Sequence, residues 1–371
     1  MNATTVNGIK SLAQVGETIQ EDGRGKWDSI VEPQELTLMQ GRVVSPRLYR
    51  YEYPTGLSMT PWATAQLCHF LGMPTRYFRK FPVQLQDSQF NHWIGHLAEE
   101  KEQSDRKAAK AERWLLRAKG EALRGVLTER YTRLDNLDLF AAISPALSSE
   151  YEVDWFALTD ESLHLRFYDA RLYRDALPGD RLIAGVHISN SEVGKRSVTV
   201  DSLVYRLVCT NGLIRKIEGQ SLLHQRHISL SRPEFALTVQ TAVRKALAHS
   251  ALYLERLSAA VAHPLPQMER TIHKLALDWG LTQATEEAVK AVILREPPSQ
   301  HETLYGLING LTGAARHLPP DERYTLETRA GELLEKPPTG NAFRRPFPFE
   351  DYPASLTPGM SLKDPALSLF G

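Results

Sequence analysis

Leu163-His164-Leu165-Arg166-Phe167-Tyr168 and, a short distance on, Leu182-Ile183-Ala184-Gly185-Val186-His187-Ile188 are the stretches on which the fold class turns. In the first, Leu163, Leu165 and Phe167 share one side of an extended chain. His164, Arg166 and Tyr168 share the other. In the second, Leu182, Ala184, Val186 and Ile188 fall together, with His187 opposite. A period of two predicts half-buried strands. Ser189-Asn190-Ser191-Glu192-Val193-Gly194 has turn chemistry. A third strand is predicted through Val198 and Val200. A fourth, Leu203 to Cys209, ends at Thr210-Asn211-Gly212, and Asn-Gly is a strong hairpin signal. Strands this close in sequence predict an antiparallel meander rather than βαβ crossovers.

Working outward, residues 231–336 read as helical. Ser231-Arg232-Pro233-Glu234 is a capping box. Phe235, Val239, Val243, Leu247, Leu254, Leu257 and Val261 form one stripe, predicting a helix of about 30 residues that ends before His263-Pro264. Further helices are predicted over 267–279, 283–296, 300–317 and 320–335, with Pro pairs between several of them. On the other side, residues 41–149 read as mostly helical. Thr60-Pro61 is a helix start and Gly72 a stop. Met73-Pro74 opens a short helix through Tyr77 and Phe78, and residues 99–119 read as a basic helix or charged linker. The expected architecture is α+β: a small antiparallel β-sheet over 150–230, flanked by an N-terminal helical segment and a C-terminal multi-helix segment. Residues 1–40, with three basic residues against six acidic ones, are expected to be a flexible acidic arm, and 337–371 a Pro-rich tail.

Lys+Arg and Asp+Glu are equal at 44 each, so bulk charge alone holds neither nucleic acid nor an anionic membrane. The two cysteines, Cys68 and Cys209, exclude a disulfide framework and a four-cysteine zinc site. No basic start with an apolar run marks a signal peptide, and no run approaches the ~18 apolar residues of a membrane span. A cytoplasmic protein without a membrane partner is expected.

Catalytic and cofactor signals are weak. Val193-Gly194-Lys195-Arg196-Ser197 resembles the end of a phosphate-binding loop, but Ser189 stands where a glycine is needed and Arg196 where Ser or Thr is needed. His224-x-x-His227 is the close histidine pair noted. It has no partner at zinc spacing, so two histidines on a polar connection is the simpler reading. Cys209 beside His187 is conceivable as a dyad, though a cysteine alternating with Leu207 and Tyr205 is more simply a small buried residue. No catalytic residue, cofactor or metal is expected.

Charge distribution says more. Residues 101–133 hold ten basic side chains against five acidic, and 195–232 hold seven against two. Cations interleaved with aromatics suit a nucleic-acid backbone with stacked bases. The plain alternative is an ordinary solvated surface. The candidate nucleic-acid-binding residues are Arg166, Tyr168, His187, Lys195, Arg196, Arg206, Arg215 and Lys216. Arg206 draws attention because a charge inside an apolar strand needs a partner, either a carboxylate or a phosphate.

Four stretches together carry a resemblance. They are Arg124–Tyr131 with Leu134-Asp135-Asn136; Gly185–Ile188 with Ser189–Gly194; Arg206–Leu213; and Leu304-Tyr305-Gly306-Leu307-Ile308-Asn309-Gly310-Leu311-Thr312. In this order they resemble the phage- and plasmid-borne "domain of unknown function nine-three-two" family, also called phage/plasmid-like proteins, over roughly residues 60–335. The resemblance implies a mobile-element context and no particular activity.

The leading expectation is a non-enzymatic, homo-oligomeric protein that binds and anneals single-stranded DNA. An interaction or inhibitory factor docking on a host protein through the arm or tail is the alternative. A Cys209-dependent enzyme is the third reading.

Overall fold

The computed structural model describes residues 4–5, 11–49, 55–103, 113–207, 211–215, 222–227 and 232–338. The first half contains β1 (Thr4–Thr5), α1 (Leu12–Gly23), β2 (Lys26–Val31), β3 (Thr37–Met39), β4 (Arg42–Val44), α2 (Pro46–Tyr49), β5 (Leu57–Met59), α3 (Pro61–Phe70), α4 (Thr75–Phe78), α5 (Val83–Gln103), β6 (Trp114–Lys119), β7 (Ala122–Thr128) and α6 (Asn136–Ile143). The second contains β8 (Tyr151–Leu158), β9 (Leu163–Leu177), β10 (Asp180–Asn190), β11 (Val198–Arg206), β12 (Asn211–Arg215), β13 (Leu223–Gln225), α7 (Arg232–Ala259), α8 (Met268–Trp279), α9 (Gln283–Ile293), α10 (Leu304–Ala315) and α11 (Pro320–Glu332).

The fold is mixed α+β with two sheets. The antiparallel one runs β1-β8-β9-β10-β11-β12, with β13 pairing beside the start of β11. Its register sets Val186 opposite Phe167 and Ser202. The other sheet runs β2-β6-β7-β5-β4-β3 and is mixed, because β5 and β7 pair in parallel. The meander was legible, but what reads as a third and a fourth strand is one strand, β11. Asn211-Gly212, read as a turn, opens β12 opposite Arg206 and Tyr205.

The second sheet corrects the expectation of a mostly helical 41–149. Trp114-Leu115-Leu116-Arg117-Ala118 and Leu123–Leu127 are buried on both faces, so they show no period-two alternation. Residues 11–40, expected as a flexible arm, are built into the fold. Ser11 caps α1 through a capping box, and Val15 and Ile19 enter the core of the antiparallel sheet. Val31, Leu36 and Leu38 enter the core of the mixed sheet. Apolar side chains are few here, but Leu12, Val15 and Ile19 stand at helical spacing and suffice for docking.

The C-terminal helices fall close to their predicted spans, and α7 ends before His263-Pro264. One face of the antiparallel sheet, with Leu163, Leu165, Phe167, Val186 and Ile188, packs on α7, α6 and α1. Helices α8–α11 gather around Tyr305, Leu307 and Leu311 at its end. The opposite face of the sheet is covered by α11. Among the described residues no helix is long and apolar enough to cross a membrane.

Candidate functional site

The resembling stretches meet in pairs, and each pair closes on buried ions. The first and second meet in the loop after β10. Glu192 Oε2 accepts from Lys26 Nζ at 2.8 Å and Arg124 Nη2 at 2.9 Å, and Oε1 accepts from the Asn136 amide at 2.9 Å. Arg117 donates to the Glu192 carbonyl and pairs with Asp28 and Asp135. Tyr131 donates its hydroxyl to the Ser191 carbonyl, and Asn190 Nδ2 donates to Asn136 Oδ1. The Val193 carbonyl accepts from Trp62 and Gln66 of α3. Gly194 sits at φ +77°, and a Cβ there would stand 2.6 Å from Leu127. Burial pushes the Glu192 carboxyl up, but Lys26, Arg124 and the Asn136 amide outweigh it and hold it at about 2. This loop is the clasp between the two sheets.

The third and fourth stretches meet at Arg206. Its guanidinium pairs with Asp180 (Nε–Oδ1 and Nη2–Oδ2, both 2.7 Å) and with Glu296 (2.5 and 3.0 Å). Tyr305 donates to Asp180 Oδ2 at 2.7 Å and lays its ring 5.3 Å from the guanidinium carbon. A Cβ on Gly310 would stand 2.5 Å from Ile293, so glycine is what lets α9 close on α10.

These contacts engage Arg206, and most of the other candidate nucleic-acid-binding residues are engaged inside the fold as well. His164, Arg166 and His187 do share a face opposite the apolar core, as alternation predicts. That face is buried because α11 supplies complementary charge. Arg166 pairs with Glu327, both fully buried, and Arg323 Nε shares Glu327 at 3.0 Å. The Trp155 ring centre lies 4.5 and 4.4 Å from the two guanidinium carbons. His164 bridges His187 at 3.1 Å and Asp321 at 2.9 Å. Arg196 reaches Asp321 at 2.6 Å, and Lys195 binds both Asp321 and Glu161. Tyr324 donates to Asp201. Burial drives the His164 pKa down to about 3 and that of His187 well below its ordinary value, so both rings are neutral. Asp321, pushed up by burial, is held far below the usual carboxylate range by His164, Arg196 and Lys195.

Tyr168 is half-buried, stacked on Tyr205 at 5.2 Å and donating to Glu152. Arg215 lies in β12 with its backbone opposite Ser202. Lys216 and Cys209 lie outside the described residues, and so does the tail from 339 onward. Of the basic run 101–133, Arg113, Arg117, Lys119, Arg124 and Arg133 all pair with carboxylates. His227 is buried and stacked on Tyr131 at 4.9 Å, with burial lowering its pKa to about 4, whereas His224 is exposed.

Two clefts border these clusters. One, of about 210 Å³, lies beside Lys195 and Asp321 and is smaller than the ~300–1,000 Å³ usual for a small-molecule site. The other, about 410 Å³, is lined by Asp180, Arg206, Arg295, Glu296 and Arg316, with Arg206 already committed to its two carboxylates.

A different surface carries exposed cations. Arg76, Tyr77, Arg79 and Lys80 lie on and just after α4, all exposed, with Tyr77 62% accessible. Phe81 meets the Tyr77 ring edge-on at 4.7 Å. Phe78 is buried and anchors the turn in the mixed-sheet core. Arg79 donates to the Pro61 carbonyl, which ties the turn to the start of α3. No carboxylate occurs anywhere in residues 53–86, where these are the only Lys and Arg. Sequence reading passed over this segment because three cations are few. The long gap without Asp or Glu was the signal available.

Comparison with family models, with curated proteins and with solved structures returned no match.

Proposed function

We propose that the protein binds single-stranded nucleic acid without catalysis, in a mobile genetic element, and that the α4 turn makes the contact. The observation that carries this reading is the cluster Arg76, Tyr77, Arg79 and Lys80, exposed in a segment without carboxylates. Exposed cations that pair with no carboxylate of the described residues attract phosphates, and an exposed ring offers a face to an unstacked base. The mobile-element context comes from the family resemblance. The sheet-face residues Arg166, His187, Lys195, Arg196 and Arg206 have no part in this reading, since the four cations pair with carboxylates and His187 is buried against His164. A homo-oligomer would repeat this short site along a strand.

Binding of a labelled oligo-dT by fluorescence anisotropy tests it. Three phosphate contacts give a slope of log affinity against log salt of about −2 for a single strand, or about twentyfold weaker binding from 50 to 200 mM. Tyr77→Ala should weaken binding at least about fivefold, as loss of one stacked base does. Duplex of the same length should bind more weakly, because its bases offer no free face. The double variant Arg76→Ser/Lys80→Ser should lose most of the salt dependence. Parental affinity in that variant, or no binding of oligo-dT at 50 mM salt, would sink the proposal.

A further inference from the structure

We infer that the tip of the β3–β4 hairpin, Met39 and Gln40, is a second wall of the single-strand site, where Met39 meets a base and the Gln40 amide gives the site a base preference. This wall deepens the nucleic-acid reading of the α4 turn and rests on it. Met39 pairs with Arg42 across a two-residue turn, so Gln40 and Gly41 are its centre. Both have positive φ, 52° and 73°. Such a turn favours Asn, Asp or Gly at its first central position, and glutamine there is held against its conformational preference. Among the described residues, Gln40 and Gln267 are the non-glycine residues with positive φ. Asp87 of α5 holds the turn in place, accepting from the Gln40 amide nitrogen at 2.7 Å and from the Gly41 amide nitrogen at 3.0 Å. The Gln40 side chain is exposed. Glycine would suit this backbone better, so the side chain that stands there costs stability without serving the fold.

The tip lies beside the α4 turn. A Cβ built on Gly41 would stand 3.5 Å from Val83, the first residue of α5. Two residues before Val83, Phe81 meets the Tyr77 ring edge-on. Tyr77, Phe81, Val83 and the hairpin tip thus follow one another along one surface. Met39 is 56% and Val83 43% accessible, so exposed apolar side chains continue from the cationic turn of Arg76, Arg79 and Lys80. Charge assigns the two walls different parts of a strand. The α4 cations attract phosphates, whereas the Asp87 carboxylate under the hairpin repels them. A strand held by its phosphates at α4 therefore turns a base toward the hairpin. Phosphate contacts position a strand, and base contacts discriminate. The glutamine amide carries both a donor and an acceptor for a base edge, and the flexible thioether of Met39 packs on the flat face of any base.

Fluorescence anisotropy with labelled oligo-dT, oligo-dA and oligo-dC of equal length tests this on the parent chain, Gln40→Gly and Met39→Ala. The parent should separate the three oligomers. Gln40→Gly should weaken the tightest of them about three- to tenfold, as loss of one hydrogen bond does, and leave the weakest nearly unchanged. Self-stacking of each oligomer is common to parent and variant and cancels in their ratio. The dependence on salt should stay that of the parent, since no phosphate contact is lost. Gln40→Gly should at the same time raise the urea midpoint, because the turn is relieved, so its weaker binding cannot come from lost folding. Met39→Ala should weaken all three oligomers alike, by at least about twofold. Parental affinity of Gln40→Gly for all three oligomers, or equal loss on all three, would overturn the inference, and Tyr77→Ala still weakening binding would then leave the α4 reading standing. No binding of any oligomer at 50 mM salt would overturn both.

Discussion

Arg166 and Arg76 carry the same guanidinium to opposite fates. Arg166 lies at the centre of the antiparallel sheet, fully buried, with both ends of its fork on Glu327. Arg76 lies on the surface of α4 in a stretch of chain that holds no carboxylate. What separates them is the acceptor within reach, not the number of cations nearby. Under α11 the acceptors are Asp321, Glu327 and Asp201, so the charges serve cohesion. At α4 no carboxylate of the described residues pairs with Arg76, Arg79 or Lys80, and the charges face outward. A local excess of Lys and Arg in the sequence therefore measures little until the carboxylates that fold against it are known.

The largest test of this contrast is acid. His164 and His227 titrate at about 3 and about 4 in the folded chain, and His187 well below its ordinary value, against about 6.5 when unfolded. Between those values the unfolded chain binds protons that the folded chain refuses. Stability is therefore full above about pH 6.5 and falls as pH drops. Three histidines acting together give a slope on the order of 4 kcal/mol per pH unit. Glu192, held at about 2, and Asp321, held lower still, lose their stabilising share in the same direction below about pH 4.5. Urea unfolding at pH 7, 6 and 5 should show the midpoint dropping steeply. A midpoint flat across that span would mean the polar face is wetter than described.

Next in size is Glu327→Ala, which strands Arg166 in the interior and should cost about 3–5 kcal/mol. The paired change Arg166→Met with Glu327→Leu should recover most of that loss, because a buried ion pair is worth little more than the apolar packing that replaces it. If the pair costs as much as the single change, the loss lies in Arg323, which also shares Glu327, rather than in Arg166. Gly310→Val probes the α9–α10 approach, where overpacking should cost about 1–3 kcal/mol in the same denaturation assay. The smallest effect belongs to the open region. Arg76→Ser/Lys80→Ser should move stability by less than about 0.5 kcal/mol, as exposed substitutions do, while changing oligonucleotide binding. A large loss of stability there would show that α4 is as internally committed as the sheet face.

Legibility followed the periodicity. β9 and β10 stood out because Leu163, Leu165, Phe167 and Val186, Ile188 alternate with polar residues, and α7 because its stripe recurs at helical spacing. β6 and β7 were hidden because both of their faces are buried and no alternation survives. The site was read in half. His164, Arg166 and His187 were placed on one face, but the partner of that face lies some 150 residues downstream. Asp321, Tyr324 and Glu327 recur every three residues along α11, and that polar stripe was the available hint. Arg206 was read as needing either a carboxylate or a phosphate, and Asp180 with Glu296 supply the carboxylates.

From its sequence alone the chain fixes which residues lie on which side of each strand and helix, since backbone geometry sets periods of 2 and 3.6 whatever the surroundings. Tertiary structure decided which of those sides meets water. A polar face is exposed only if nothing folds over it with matching charge, and that match is made between segments far apart in the chain.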